Sequence, residues 1–208
     1  FIQDLITNNQ NIKVIKGEVV SFKTKLNNVS GAVLRSGETI ACSSLIITCG
    51  TFLNGLIHIG NKNFKAGRMG EKNSKGLTEH LIERGFSSHR LKTGTPPRIS
   101  RSSIDFSFTE KAPGEKNYTP LSIMSNGKKI KQEDCFLVNT NENVHKIIKK
   151  NINLSPMFSG KITSTGPRYC PSVEDKIFRF QDRSSHHLFI EPEWSGSDQM
   201  YLNGFSTS

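Results

Sequence analysis

Apolar positions along this chain switch between helical and strand-like spacing, and the switches divide it into segments. Phe1, Ile2, Leu5 and Ile6 fall on one face at helical intervals, predicting the last turns of an amphipathic helix. From residue 12 to 49 the pattern turns to partial alternation with β-branched enrichment. Strands are predicted over Ile12–Ile15, Glu18–Lys25, Ala32–Arg35 and Thr39–Cys42, with turn chemistry at Asn27-Asn28 and Ser36-Gly37. Leu45-Ile46-Ile47-Thr48 is an unbroken apolar run ending in Cys49-Gly50, the pattern of a strand buried on both faces in a parallel sheet.

Helical spacing returns at Leu77, Leu81 and Ile82, predicting a helix from Ser74, as its cap, to Arg84, with Gly85 as the stop. Leu91–Arg98 reads as a rigid loop whose prolines forbid a central strand, and residues 100–135 as polar and irregular. Asn139 and Glu142 have capping-box spacing, opening a helix with Val144, Ile147 and Ile148 on its apolar face. Lys146, Lys149 and Lys150 lie opposite, where a solvated face is the simpler reading than an RNA contact. A last helix is predicted to start with Pro171 in its first position, carrying Val173, Ile177 and Phe180 at helical intervals. Glu174 and Asp175 stand in its first turn, where acids complement the helix dipole.

Charge adds a class of partner. Lys and Arg total 28 against 18 acidic residues, a net charge of +10. The excess fits a polyanion, because basic side chains displace condensed counterions from phosphates, and fits an ordinary basic surface equally. The basic residues form short clusters (Lys128-Lys129, Lys149-Lys150, Lys161), not a polybasic tail. No apolar run reaches the roughly 20 residues that span a membrane, and no secretory segment is present, so a cytoplasmic protein is expected. The chain opens inside a helix without Met and stops at Ser206-Thr207-Ser208, which reads as an internal piece of a longer protein.

Several kinds of chemistry are excluded by spacing. Gly50 and Gly55 have the outer spacing of a P-loop, but Leu56-Ile57 replaces its Lys-Ser/Thr, and no G-x-G-x-x-G occurs. Cys42, Cys49, Cys135 and Cys170 are too far apart for CxxC metal pairs and read as reduced thiols. His186 and His187 are adjacent on an alternating stretch and face opposite sides, so no metal site is expected. Cys170 stands out because a position at a helix start, two residues from Arg168, favours thiolate over thiol, the form needed for nucleophilic catalysis. Spacing alone nonetheless favours a structural role, since most reduced cysteines are small buried hydrophobes.

Three stretches carry a resemblance. Gly50–Gly60, Arg90–Arg98 and Gly166-Pro167-Arg168-Tyr169-Cys170-Pro171-Ser172-Val173-Glu174-Asp175-Lys176-Ile177-Phe178-Arg179-Phe180 resemble the MnmG (GidA) family. Ser155–Phe158, Glu191–Glu193 and Asn203–Ser208 fit the same family. The resemblance implies an FAD-dependent enzyme that installs a carboxymethylaminomethyl group on the wobble uridine of tRNA. It further implies NADH as reductant, methylenetetrahydrofolate as carbon donor, a homodimer, and a GTPase partner, MnmE, in a heterotetramer. Localisation would be cytoplasmic, or mitochondrial in a eukaryote.

The implied fold class is α/β, in part α+β, as a fragment of a two-dinucleotide-binding-domain flavoprotein with an inserted NAD-binding domain. Residues 1–60 would be part of the FAD-binding domain, 61–195 the inserted NAD(H)-binding domain, and 196–208 the return toward the FAD-binding domain. Val19 and Ser74 match FAD contacts, Gly166–Phe180 matches the NAD-associated segment, and Cys170 matches the catalytic cysteine. A second such cysteine would precede residue 1. Cys49 and Leu202 depart from the family pattern, where a small or apolar residue and a Pro are common. A folate- and FAD-dependent 5-methyluridine methyltransferase of tRNA, or a non-catalytic nicotinamide- or RNA-binding module, are the alternative readings.

Overall fold

β-Branched residues and two-residue turns build the first half of the chain as hairpins, and a second apolar set later builds a larger sheet. The structure, a computed structural model, describes residues 2–120, 122, 123, 125, 131–163, 166 and 170–207. It divides into two compact units, Phe1–His89 and Arg90–Ser208.

In the first unit, helix α1 (Ile2–Thr7) is followed by the antiparallel sheet β1 (Val19–Lys25), β2 (Asn28–Leu34) and β3 (Thr39–Ala41). The β1–β2 turn falls on Leu26-Asn27, both with positive φ, one residue earlier than expected. That left-handed pair matches the twist of the flanking strands, as in hairpin turns generally. A second hairpin, β4 (Leu56–Ile59) with β5 (Lys62–Lys65), occupies part of the Gly-rich stretch. Ala32, Leu34, Ala66 and Leu77 are buried.

Two strand expectations are corrected. Ile12–Ile15 and Leu45–Thr48 belong to no strand, and Ile46 is 85% exposed. A strand exists only through hydrogen bonds to a neighbour, and no described residue offers either segment a ladder. The apolar side of α1 is likewise exposed at Ile2 and Leu5.

Helix α2 (Leu77–Glu83) begins later than expected. Its cap is Gly76, whose N–H donates to the Glu79 carboxylate at 2.9 Å, and not Ser74. Ser74 instead forms a parallel bridge with Leu53. Gly85 ends the helix as expected, in the left-handed conformation that only glycine adopts without cost. Residues 61–89 belong to the same compact unit as residues 1–60, in place of the expected division at residue 60.

The second unit is built on a five-stranded antiparallel sheet in the order β6 (Arg98–Ser100), β10 (Gln199–Asn203), β9 (His187–Pro192), β8 (Cys135–Asn139) and β7 (Glu110–Ala112). Pro96 and Pro97 precede an edge strand, where missing N–H groups cost least. Alternation along β9 buries Leu188 and Ile190. Met200 of β10 and Val173 and Ile177 of helix α4 (Val173–Arg179) complete the core. Helix α3 (Glu142–Lys150) is capped by Asn141, whose side chain accepts the Val144 N–H at 3.0 Å. The expected cap, Asn139, is the last residue of β8. Of the face expected to be apolar, Val144 and Ile148 are half-buried, whereas Ile147 is 64% exposed and His145 is buried in its stead. No helix among the described residues is long and apolar enough to cross a membrane.

Candidate active site

The Cys170 segment enters α4 through Pro171 and Ser172. Ser172, not Pro171, is the N-cap, and Val173 is the first helical residue, so Cys170 lies two positions outside the helix. The N–H of Val173 already donates to the Ser206 carbonyl at 2.7 Å. The expected stabilisation of a Cys170 thiolate by a helix start therefore gives way to a different contact. The Thr93 hydroxyl lies 3.4 Å from the half-buried Cys170 sulfur.

The two partners reach this contact from the same segment. On the cysteine side, the Ser206 hydroxyl donates to the Pro171 carbonyl at 3.3 Å, beside the Val173 contact. On the threonine side, Thr95 bridges Thr207, its N–H donating to the Thr207 carbonyl at 3.2 Å. Lys92, just before Thr93, is only 6% exposed. Thr93 was absent from the expected site, and only the Thr-Gly-Thr-Pro-Pro run within the Arg90–Arg98 match hinted at it.

The remaining cofactor candidates separate by burial. Ser172, Val173, Glu174, Asp175 and Ile177 are all buried in the second unit. Asp175 accepts from Arg179 Nε at 2.8 Å, and Glu174 accepts from the Ser155 hydroxyl at 3.1 Å. The Ser172 hydroxyl has no hydrogen-bond partner among the described residues. Gly166, Pro171 and Lys176 are half-buried, with Lys176 donating to the Gly204 carbonyl at 2.9 Å. Phe178, Arg179 and Phe180 are exposed. Pro167, Arg168 and Tyr169 lie outside the described residues, as do Lys128 and Lys129.

Val19 and Ser74 lie in the first unit and are linked through Glu18. The Glu18 carboxyl is held below the usual carboxylate range chiefly by the Arg35 guanidinium, with the Ser74 hydroxyl adding to it. This donor set fits single contacts to a dinucleotide and not a dinucleotide site, because no G-x-G-x-x-G loop is present to take the phosphates. Among the described residues no three His, Cys, Asp or Glu side chains group to hold a metal ion.

A buried histidine pair escaped the sequence reading. His145 and His186 stack with ring centroids 5.3 Å apart. The Thr140 hydroxyl joins them, lying 2.8 Å from His145 Nε2 and accepting the His186 backbone N–H at 2.8 Å. Burial first, and then the electrostatic influence of neighbouring basic side chains, hold His186 below the ordinary histidine value. Cys135, which the sequence left unassigned, opens strand β8, and burial pushes its thiol up.

Comparison with known proteins places this geometry. The family model described as glucose inhibited division protein A matches residues 1–208. A relative from Chlorobium chlorochromatii, named tRNA uridine 5-carboxymethylaminomethyl modification enzyme MnmG, is 46% identical over all of this chain and 34% of its own length. A Campylobacter fetus protein of the same name is 44% identical with the same coverage. The crystal structure of Aquifex aeolicus GidA superposes with a TM-score of 0.89 at 37% identity, over 100% of this chain and 36% of that one. The chain thus spans about a third of the curated relatives' length. A family match along every residue, joined to a superposition of that quality, shows that the chain belongs to the glucose inhibited division protein A (GidA, MnmG) family.

Proposed function

We propose that the protein of which this chain is a part modifies tRNA, adding a carboxymethylaminomethyl group at C5 of the wobble uridine. The observation that carries this reading is the family match along the whole of residues 1–208, with relatives named for that modification. The first unit is the chain's share of the FAD-binding domain, with Val19 and Ser74 as FAD contacts. Residues 61–89, assigned to the insertion on sequence, go with it, since they share its compact unit. The insertion that takes NADH is then built from residues 90–208, since residues 196–208, expected to return toward the FAD-binding domain, share its compact unit and supply β10 to its sheet.

Within the Gly166–Phe180 segment, Phe178, Arg179 and Phe180 are exposed and Gly166, Cys170, Pro171 and Lys176 half-buried, and these are the described members open to a ligand. Ser172–Asp175 and Ile177 form the buried face that holds them in place. Cys170 acts as nucleophile: its thiolate adds to the uracil ring and activates the neighbouring carbon for substitution. FAD, NADH and methylenetetrahydrofolate supply the redox and one-carbon chemistry when bound. The net charge of +10 supports tRNA as the partner. The GTPase partner MnmE, the homodimer and the cytoplasmic or mitochondrial setting rest on the family resemblance.

The test is nucleoside analysis of tRNA from cells whose only copy of the full-length protein carries Cys170→Ser. Loss of the modified wobble uridine is expected. A normal level of it would remove Cys170 as nucleophile. Unmodified wobble uridine in a deletion strain, with 5-methyluridine intact, separates this reading from a methyltransferase.

A further inference from the structure

We propose that Thr93 is a positioning residue for Cys170, its hydroxyl turning to donate to the sulfur when the thiol ionises. The inference rests on the reading of Cys170 as the reactive thiol, and it adds a residue 77 positions away in sequence.

Three observations support it. The first is the contact itself, 3.4 Å between Thr93 Oγ1 and Cys170 Sγ, within range for a hydrogen bond to sulfur. The second is the anchoring. A Cβ built on Gly94 would lie 2.7 Å from the Thr207 carbonyl oxygen and 3.0 Å from Ser206 Cβ. The chain beside Thr93 is thus pressed against Ser206-Thr207, the segment that also holds Pro171 and Val173. The backbone beside both partners is anchored to the same two residues, Ser206 and Thr207.

The third is the second acceptor. The Thr93 hydroxyl also lies 3.5 Å from the Gly94 carbonyl oxygen. With Cys170 protonated, the thiol S–H donates to Oγ1 and the hydroxyl proton points to Gly94. When the thiol releases its proton to solvent, the hydroxyl rotates and donates to the sulfur anion. One rotor so serves both protonation states, and a hydrogen bond to the charged form favours that form.

The experiment measures iodoacetamide alkylation of Cys170 in the full-length protein, by peptide mass mapping, for wild type, Thr93→Val and Thr93→Ser. At neutral pH, Thr93→Val is expected to react about fivefold more slowly, the factor of one ordinary hydrogen bond. Thr93→Ser should react near the wild-type rate, and at strongly alkaline pH all three should converge. Equal rates for wild type and Thr93→Val at neutral pH would overturn the proposal. So would slowing that persists at alkaline pH, which reports lost access, or a Thr93→Ser protein as slow as Thr93→Val. The readout does not depend on tRNA chemistry. Slow alkylation of Thr93→Val beside normal uridine modification by Cys170→Ser would uphold the positioning role and reject the nucleophile.

Discussion

His145 and His186 stack with their rings 29° from parallel, and both are more than nine-tenths buried. His186 Nε2 has no partner among the described residues. Because burial, with neighbouring basic side chains, lowers its folded value, the unfolded chain binds protons that the folded chain refuses. Stability from this site is complete above the ordinary histidine value of 6.5 and is lost as pH falls through it, levelling off below the lowered folded value. In the full-length protein the urea midpoint should fall between neutral and mildly acid pH. His186→Gln, which cannot titrate, should flatten that decline; an unchanged slope would reject the assignment.

The core prediction separates two helices. Ile177 is 1% exposed and Ile147 is 64% exposed, although both have helical spacing in the sequence. Ile177→Ala should cost about 2–5 kcal/mol in equilibrium denaturation, through lost burial and a cavity. Ile147→Ser should change stability by less than about 0.5 kcal/mol, as a surface substitution does.

Gly55 stands at the base of the β4–β5 hairpin, where a Cβ would lie 2.4 Å from the Ala66 carbonyl oxygen and 2.5 Å from that of Thr51. Both obstacles are backbone, so neither can swing away. Gly55→Ala should destabilise the protein by roughly 1–3 kcal/mol, read from thermal or urea unfolding, as overpacking does elsewhere.

Flavin binding gives a fourth test. Val19 and Ser74 are proposed as isolated FAD contacts, and no phosphate-binding glycine loop accompanies them. The isolated chain should leave added FAD free in an absorbance or fluorescence titration, while the full-length protein takes it up. Tight one-to-one uptake by the isolated chain would show that the site is complete within these residues.

Local structure was legible wherever the cause is local. The β1–β2 hairpin, to within one residue of its turn, and the Gly85 stop follow from local backbone conformations that distant residues do not alter. Misplacements arose where tertiary contacts choose among equivalent local options. Ser74 and Asn139 are sound caps in isolation, yet each is drawn into β pairing, and the helices are capped by Gly76 and Asn141 instead. Leu45–Thr48 has the composition of a buried strand, but burial requires a neighbour.

The sequence by itself determined the family, since the Gly166–Phe180 run is specific as a string of residue types. It also determined the basic charge and the absence of a dinucleotide glycine loop. Tertiary structure alone decided what stands beside Cys170 and which histidines share a hydroxyl. Thr93 meets Cys170 because both are tied to Ser206-Thr207, and His145 meets His186 because Thr140 lies between β8 and α3. Contacts between residues so far apart depend on chain closure, which residue spacing does not encode.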